Sequence, residues 1–197
     1  MSEIASHRLK QAKRAVRREV LAERDRLPEG NRRAMSASIA ERVLAMEEFR
    51  DARTVMAFWS FGSEVDTRPL LERLEAAGKR VALPRIDDRE LVPVTYAAGD
   101  PLSATSFGAM EPVSGVRVAP SDLDVVVVPG VAFDRDGGRV GYGAGFYDRL
   151  LGSVRDDAFA VAVAFGMQVV DRVPTGGTDR RVDAVVTERE VIRSGER

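Results

Sequence analysis

The chain has 197 residues, of which 44% are hydrophobic and 31% charged, and a formal net charge of −1. That length and balance fit one folded domain with its own core. They exclude wholesale disorder and binding of polyanions through overall charge. There is no cysteine, and the single histidine, His7, stands near the start of the chain. Disulfides, thiolate zinc sites, thiol nucleophiles and histidine triads are set aside, leaving Arg, Lys, Asp, Glu, Tyr and backbone amides to carry any chemistry.

No apolar run approaches the ~18 residues of a membrane span. The first residues carry charge where a signal peptide needs an apolar stretch, so a cytoplasmic protein is expected. A helix is predicted over about Ser6 to Leu27, with Leu9, Ala12, Val16 and Val20 on one stripe. Lys10, Lys13, Arg14, Arg17 and Arg18 fall on another face. Pro28-Glu29-Gly30 ends it. A second helix carries Met35, Ile39, Val43 and Met46. Thr54 to Trp59 is an apolar run of strand length, and Ser60 to Asp66 a polar loop. Thr67 can cap a helix bearing Leu70, Leu71 and Leu74, which Gly78 terminates. Arg80 to Pro84 is the next strand, completing a β-α-β unit whose crossover favours parallel pairing.

Leu91 to Tyr96 reads as a less buried strand, and 99–118 as loops with one short helix. Asp124 to Val128 is the strongest strand, β-branched and apolar on both faces, hence central. A helix is expected from Phe146 to Leu151, strands at Phe159 to Phe165 and Ala184 to Thr187, and a frayed segment from Val191 to Arg197. The fold class is α/β: a single layered domain over 1–197, Rossmann-like, with a mostly parallel sheet in 53–190. The helices of 1–50 should pack on that sheet. Ligands of such sheets sit beyond the carboxyl ends of the strands.

The loop after the central strand carries the most chemistry. Gly141, Gly143 and Gly145 let the backbone approach a ligand, and successive amides there can form an anion-binding nest. Arg139 can fork onto a phosphate, and Asp148, in the first turn of the next helix, can hold Mg²⁺. The spacing is neither a P-loop nor a dinucleotide fingerprint. An ordinary glycine-rich turn, with Asp148 merely favouring a helix start, is the competing reading. Asp134-x-Asp136-x-Gly138 resembles the opening of a calcium loop, but Gly145 stands where its closing acid belongs.

Pro129 to Asp134 followed by Arg139-Val140-Gly141-Tyr142-Gly143-Ala144-Gly145-Phe146-Tyr147-Asp148-Arg149 resembles the signature of 5-formyltetrahydrofolate cyclo-ligases. Lys13 to Arg17, Ser63 to Thr67, Phe107 to Pro112 and Arg181 to Thr187 match further motifs of that family, in order along the chain. The resemblance implies an enzyme that converts 5-formyltetrahydrofolate and ATP, with Mg²⁺, into 5,10-methenyltetrahydrofolate, ADP and phosphate. It implies catalytic roles for Arg139 and Tyr147, and ATP binding by Lys13, Arg14, Arg17, Arg139, Gly141, Gly143, Ala144, Gly145 and Tyr147. Folate contacts would come from Trp59, Glu64, Tyr142, Gly143, Ala144, Gly145 and Phe146, and metal ligation from Asp148 and Asp183. It further implies a monomer acting on small molecules, away from membranes and nucleic acid.

Two positions depart from the family pattern: Thr178-Asp179 where many relatives have His-Asp, and Phe146 where many have Tyr. A non-catalytic folate- or nucleotide-binding paralogue, an RNA-binding module using the basic helix, and a kinase of another metabolite are the alternatives.

Overall fold

The computed structural model describes residues 3–105 and 108–195. In chain order come α1 (Glu3–Asp25), α2 (Glu29–Leu44), α3 (Glu47–Asp51), β1 (Thr54–Met56), α4 (Arg68–Ala76), β2 (Arg80–Asp87) and β3 (Glu90–Thr95). Then follow β4 (Leu102–Ala104), β5 (Met110–Pro112), β6 (Val125–Val128), β7 (Ala132–Phe133), β8 (Arg139–Val140) and α5 (Phe146–Leu151). β9 (Phe159–Val163), β10 (Ala184–Val186) and β11 (Val191–Arg193) close the chain.

Seven strands form one sheet in the order β11-β10-β9-β6-β1-β2-β3. The five inner strands are parallel, and β3 and β11 add antiparallel edges. β6 is central because its four valines must be covered on both sides, and period-two alternation divides them. Val125 and Val127 meet Ile39, Val43, Phe49, Leu70, Leu71 and Leu74 of α2 to α4. Val126 and Val128 meet Leu150 and Leu151 of α5, where Ala82, Ala160 and Ala162 leave room for that helix.

The chain winds from β1 outward to β2 and returns across β1 to β6, so strand order reverses between β1 and β6. Such a reversal opens a crevice beyond the carboxyl ends of the two strands. The loop after β1 and the loops after β6 border it.

α1 does not lie on the sheet. Val16, Val20 and Leu21 pack on Val131, Ala132, Val140 and Val173, making a third, smaller core over the β7–β8 hairpin. The packed face of α1 is Lys13, Val16, Arg17, Val20 and Arg24, while Ala12 and Arg14 are exposed. Lys13 and Arg17 therefore share the apolar face, while Lys10, Arg14 and Arg18 stay exposed on another.

Other boundaries move as well. β2 runs on to Asp87 and turns through Asp88 and Arg89, both with positive φ (44° and 70°), as a two-residue hairpin demands. Within 99–118 the structure forms the β4–β5 hairpin, and the short 3₁₀ turn lies just beyond, at Pro120–Asp122. Val191–Arg193 is not frayed but pairs with β10. Ser106 and Phe107 lie outside the described residues, so the Phe107 to Pro112 motif can be followed only from Gly108. No described helix is long and apolar enough to cross a membrane.

Candidate active site

The glycine loop spans the five residues between β8 and α5. Gly143 (φ 115°) and Gly145 (φ 68°) take backbone conformations that side chains resist. At Gly141 the constraint is space, since a Cβ would stand 2.8 Å from Arg139 Nη1. Two guanidinium groups tie back the loop's carbonyls. Arg17 Nε donates to Gly141 O (2.8 Å) and Arg149 Nη1 donates to Ala144 O (3.1 Å). With those oxygens turned away, Gly143 and Ala144 stay exposed. α5 has only six residues and sums few peptide dipoles.

Beneath the loop, Arg139 is nearly enclosed, its side chain 5% exposed. Its Nη2 donates to Asp148 Oδ1 (2.7 Å) and its Nη1 to Pro129 O (3.4 Å). The Arg180 N–H also donates to Asp148 Oδ1 (3.0 Å), so both bonds fall on one oxygen and Oδ2 lies outside them. Among the described residues, nothing pairs with Arg139 Nε or with the buried hydroxyl of Tyr147. Burial, reinforced by the charge of Glu64 and opposed by that of Arg139, pushes the Tyr147 phenol far up. The hydroxyl therefore keeps its proton as a donor between those two charges. A buried donor without a partner costs roughly 1–3 kcal/mol, a cost that a ligand can remove.

Lys13 Nζ reaches both carboxylate oxygens of Asp179 at 2.5 Å, and the Gly176 N–H donates to Asp179 Oδ2 (2.6 Å). Asp179, which follows the departing Thr178, thus seats the lysine. Lys13 and Arg17 point into the protein, whereas Lys10, Arg14 and Arg18 stay exposed. Burial, then repulsion from Arg14, lowers the Arg17 pKa.

The other wall is the loop after β1. Thr67 sits at the N-cap of α4, but its hydroxyl donates to Phe58 O (2.5 Å), and Asp66 Oδ1 receives the Arg68 N–H instead (3.1 Å). This folding-back buries Glu64 at 8% exposure. Its Oε1 accepts from Tyr142 OH (2.6 Å) and its Oε2 from the Phe61 N–H (3.0 Å). Burial is the largest influence and raises the Glu64 pKa, while Tyr142, Phe61 and Arg24 pull it down. The Phe61 and Tyr142 rings meet at 5.6 Å between centroids.

The structure therefore brings Lys13, Arg17, Glu64, Arg139, Tyr142, Tyr147 and Asp148 to one crevice. Trp59 lies further along that wall, edge-on to Tyr96 (centroids 5.9 Å apart) and bridged through its backbone to Met110. Asp183 precedes β10, where its Oδ2 accepts the Ala160 N–H (2.7 Å). Among the described residues no three metal-ligating side chains gather. The Phe146 ring lies under the Arg149 guanidinium at 5.1 Å. Asp134 is structural: its oxygens accept the N–H groups of Asp136, Gly138 and Val173, closing the hairpin turn.

Sequence reasoning missed Arg24, Phe61, Arg149 and the Lys13–Asp179 pair. Arg24 alone had a readable signal, because it continues the spacing of Lys13 and Arg17 along one helical face.

A doubly wound α/β sheet, with a glycine loop and a buried carboxylate facing each other across its reversal point, defines a ligand-binding α/β protein. Residues 9–188 match the sequence profile of the 5-formyltetrahydrofolate cyclo-ligase family, and the chain belongs to that family. It is similar to the 5-formyltetrahydrofolate cyclo-ligases of Escherichia coli (38% identical, covering 80% of this chain and 90% of that one) and Haemophilus influenzae (32%, covering 84% and 91%). The solved structure of Aquifex aeolicus 5,10-methenyltetrahydrofolate synthetase superposes with a TM-score of 0.82 at 37% identity, covering 92% of each chain. The synthetase of Mycoplasma pneumoniae shares the fold, with a TM-score of 0.74 at 20% identity, covering 89% of this chain and 98% of that one.

Proposed function

We propose that the chain closes 5-formyltetrahydrofolate to 5,10-methenyltetrahydrofolate at the expense of ATP, releasing ADP and phosphate. A formamide oxygen is a poor leaving group. Transfer of the γ-phosphoryl group to it creates a phosphate ester; N10 then attacks the activated carbon, loses its proton, and phosphate departs. The protein's task is alignment and charge neutralisation, which needs neither cysteine nor histidine. The observation that carries this reading is the pair of unmatched buried donors beside the glycine loop, Arg139 Nε and Tyr147 OH, with Tyr147 under the charge of Glu64.

In this reading Lys13, Arg14, Arg17 and Arg139 neutralise the triphosphate, while the amides of Gly141, Gly143, Ala144 and Gly145 cradle it. Tyr147 and Arg139 stand where the formyl oxygen and γ-phosphorus meet, and donate to the oxygens on which charge builds. Glu64 accepts the paired N–H donors of the pterin, with Trp59, Tyr142, the loop glycines, Ala144 and Phe146 shaping the rest of the folate site.

Mg²⁺ fits Asp148, whose Oδ2 lies outside the bonds to Arg139 and Arg180, since this ion binds through one or two carboxylates plus phosphate oxygens. When bound, it would offset negative charge shared between β- and γ-phosphate oxygens. Asp183 is the second proposed ligand; its Oδ2 accepts the Ala160 N–H. One chain supplies both subsites, consistent with a monomer, and the use of ATP and folate fits the cytoplasm.

Mixing the protein with Mg²⁺-ATP and 5-formyltetrahydrofolate should generate the methenyl absorbance, and omitting ATP should abolish it. Folate binding with no absorbance change and no ATP consumption would instead mark a non-catalytic paralogue.

A further inference from the structure

Arg24 is 4% exposed, although nothing in the proposed chemistry calls on it. A guanidinium is held at such depth only when its donors are met and its charge is answered. Its Nε donates to Ser63 Oγ (3.0 Å), and Ser63 in turn donates to Asp25 in a short hydrogen bond. Its Nη2 donates to Tyr142 OH (3.2 Å), whose single proton goes to Glu64 Oε1 (2.6 Å). Donor and acceptor roles are consistent at every link: a phenol that gives its proton to a carboxylate has lone pairs left for an arginine. Three segments distant in sequence meet here: the end of α1, the loop after β1 and the glycine loop.

We propose that Arg24 is a positioning residue for the folate site, holding Tyr142 and Glu64 in one arrangement that leaves the carboxylate's remaining lone pairs open to a ligand with paired N–H donors. This role rests on the function proposed above. Arg24 does not bond Glu64 directly; it acts through the tyrosine and through its charge. The groups facing Glu64 are Arg24 from α1, with Asp25 one hydroxyl further, Tyr142 from the glycine loop, Tyr147 from α5 and the Phe61 N–H of its own loop. Arg24 is the cation among them that opposes the effect of burial on Glu64. Its removal leaves a carboxyl that holds its proton to higher pH and then cannot accept from two donors.

The test is steady-state turnover of the full chain with Arg24→Met, Arg24→Lys, Tyr142→Phe and the Arg24→Met/Tyr142→Phe double variant. Arg24→Met should raise the folate KM about tenfold, leave the ATP KM unchanged, and move the acid limb of the folate kcat/KM profile to higher pH. Arg24→Lys should recover part of the loss. The double variant should be no worse than the poorer single variant, because both interrupt one chain of contacts. An unchanged folate KM and acid limb in folded Arg24→Met would overturn the role, as would losses that multiply in the double variant. If Arg24→Met does not fold, Arg24→Lys combined with Tyr142→Phe decides by the same criteria. Lack of turnover by the wild-type protein removes the proposed function and this role together; turnover with insensitive variants removes this role alone.

Discussion

Asp148 answers to two demands. Its Oδ1 takes Arg139 and the Arg180 N–H, which fixes the carboxylate and neutralises a guanidinium that is 5% exposed. Asp148→Ala leaves that guanidinium without its counter-charge and should cost about 3 kcal/mol of stability besides activity. Asp148→Asn keeps an acceptor for Arg139 and isolates the question of charge. It should remain folded and lose ATP-dependent methenyl formation; normal turnover in that variant would remove the metal-ligand assignment. At Lys13, Asp179 holds the ammonium group beside the loop that Arg17 grips. Lys13→Ala should raise the ATP KM more than the folate KM, and an unchanged ATP dependence would contradict the role given to this helix. Asp148 was legible from its place in the first turn after the glycines. For Arg24 the helical spacing was the one signal, and it did not reveal the burial, because charged side chains are almost never fully buried and periodicity alone does not show which ones are.

At the scale of elements, the glycine loop is held at both ends by arginines from different helices, so its shape depends on more than its own sequence. Gly143 has a φ of 115°, with open space around its Cα apart from the Arg17 guanidinium. Gly143→Ala should therefore act through backbone strain of about 1–2 kcal/mol. Kinetics should show a raised ATP KM with little change in the unfolding temperature if the strain is released by displacing the loop. An unaltered ATP KM would show that the loop backbone does not approach the nucleotide. Elements with a strong local signal were legible: the four valines of β6, and α5, whose bounds match the expected Phe146 to Leu151. β4, β5 and β11 were not, because each depends on a partner strand. α1 was legible as a helix, but not its orientation, since Val16 and Val20 share their face with cations.

At the scale of the whole molecule, the parallel sheet followed from alternating elements, whereas the reversal between β1 and β6 did not, because strand order is set by long-range pairing. That reversal gathers groups distant in sequence, Glu64 and Tyr142 being 78 residues apart, and the fold bears a cost for it at Glu64. Burial raises the Glu64 pKa above its unfolded value. A carboxyl displaced upward binds its proton more tightly folded than unfolded, so ionised Glu64 subtracts from stability once pH exceeds the unfolded value of roughly 4.3. Below both values the effect vanishes. The unfolding temperature of Glu64→Gln minus that of the wild type should therefore rise between about pH 4 and pH 8, while folate turnover falls. A difference that is flat with pH would show that Glu64 is not strained in the fold. A last consequence concerns α1, which touches the proposed nucleotide side at Lys13 and Arg17 and the folate side at Arg24. Each residue advances an α-helix by about 1.5 Å and 100°, so eleven residues bring the two ends into phase with a fixed separation of about 16 Å. On the proposed function, the helix would gauge the gap between the two substrates. Between Lys13 and Arg24 its length is constrained to whole turns, because the residues at both ends bond to other segments.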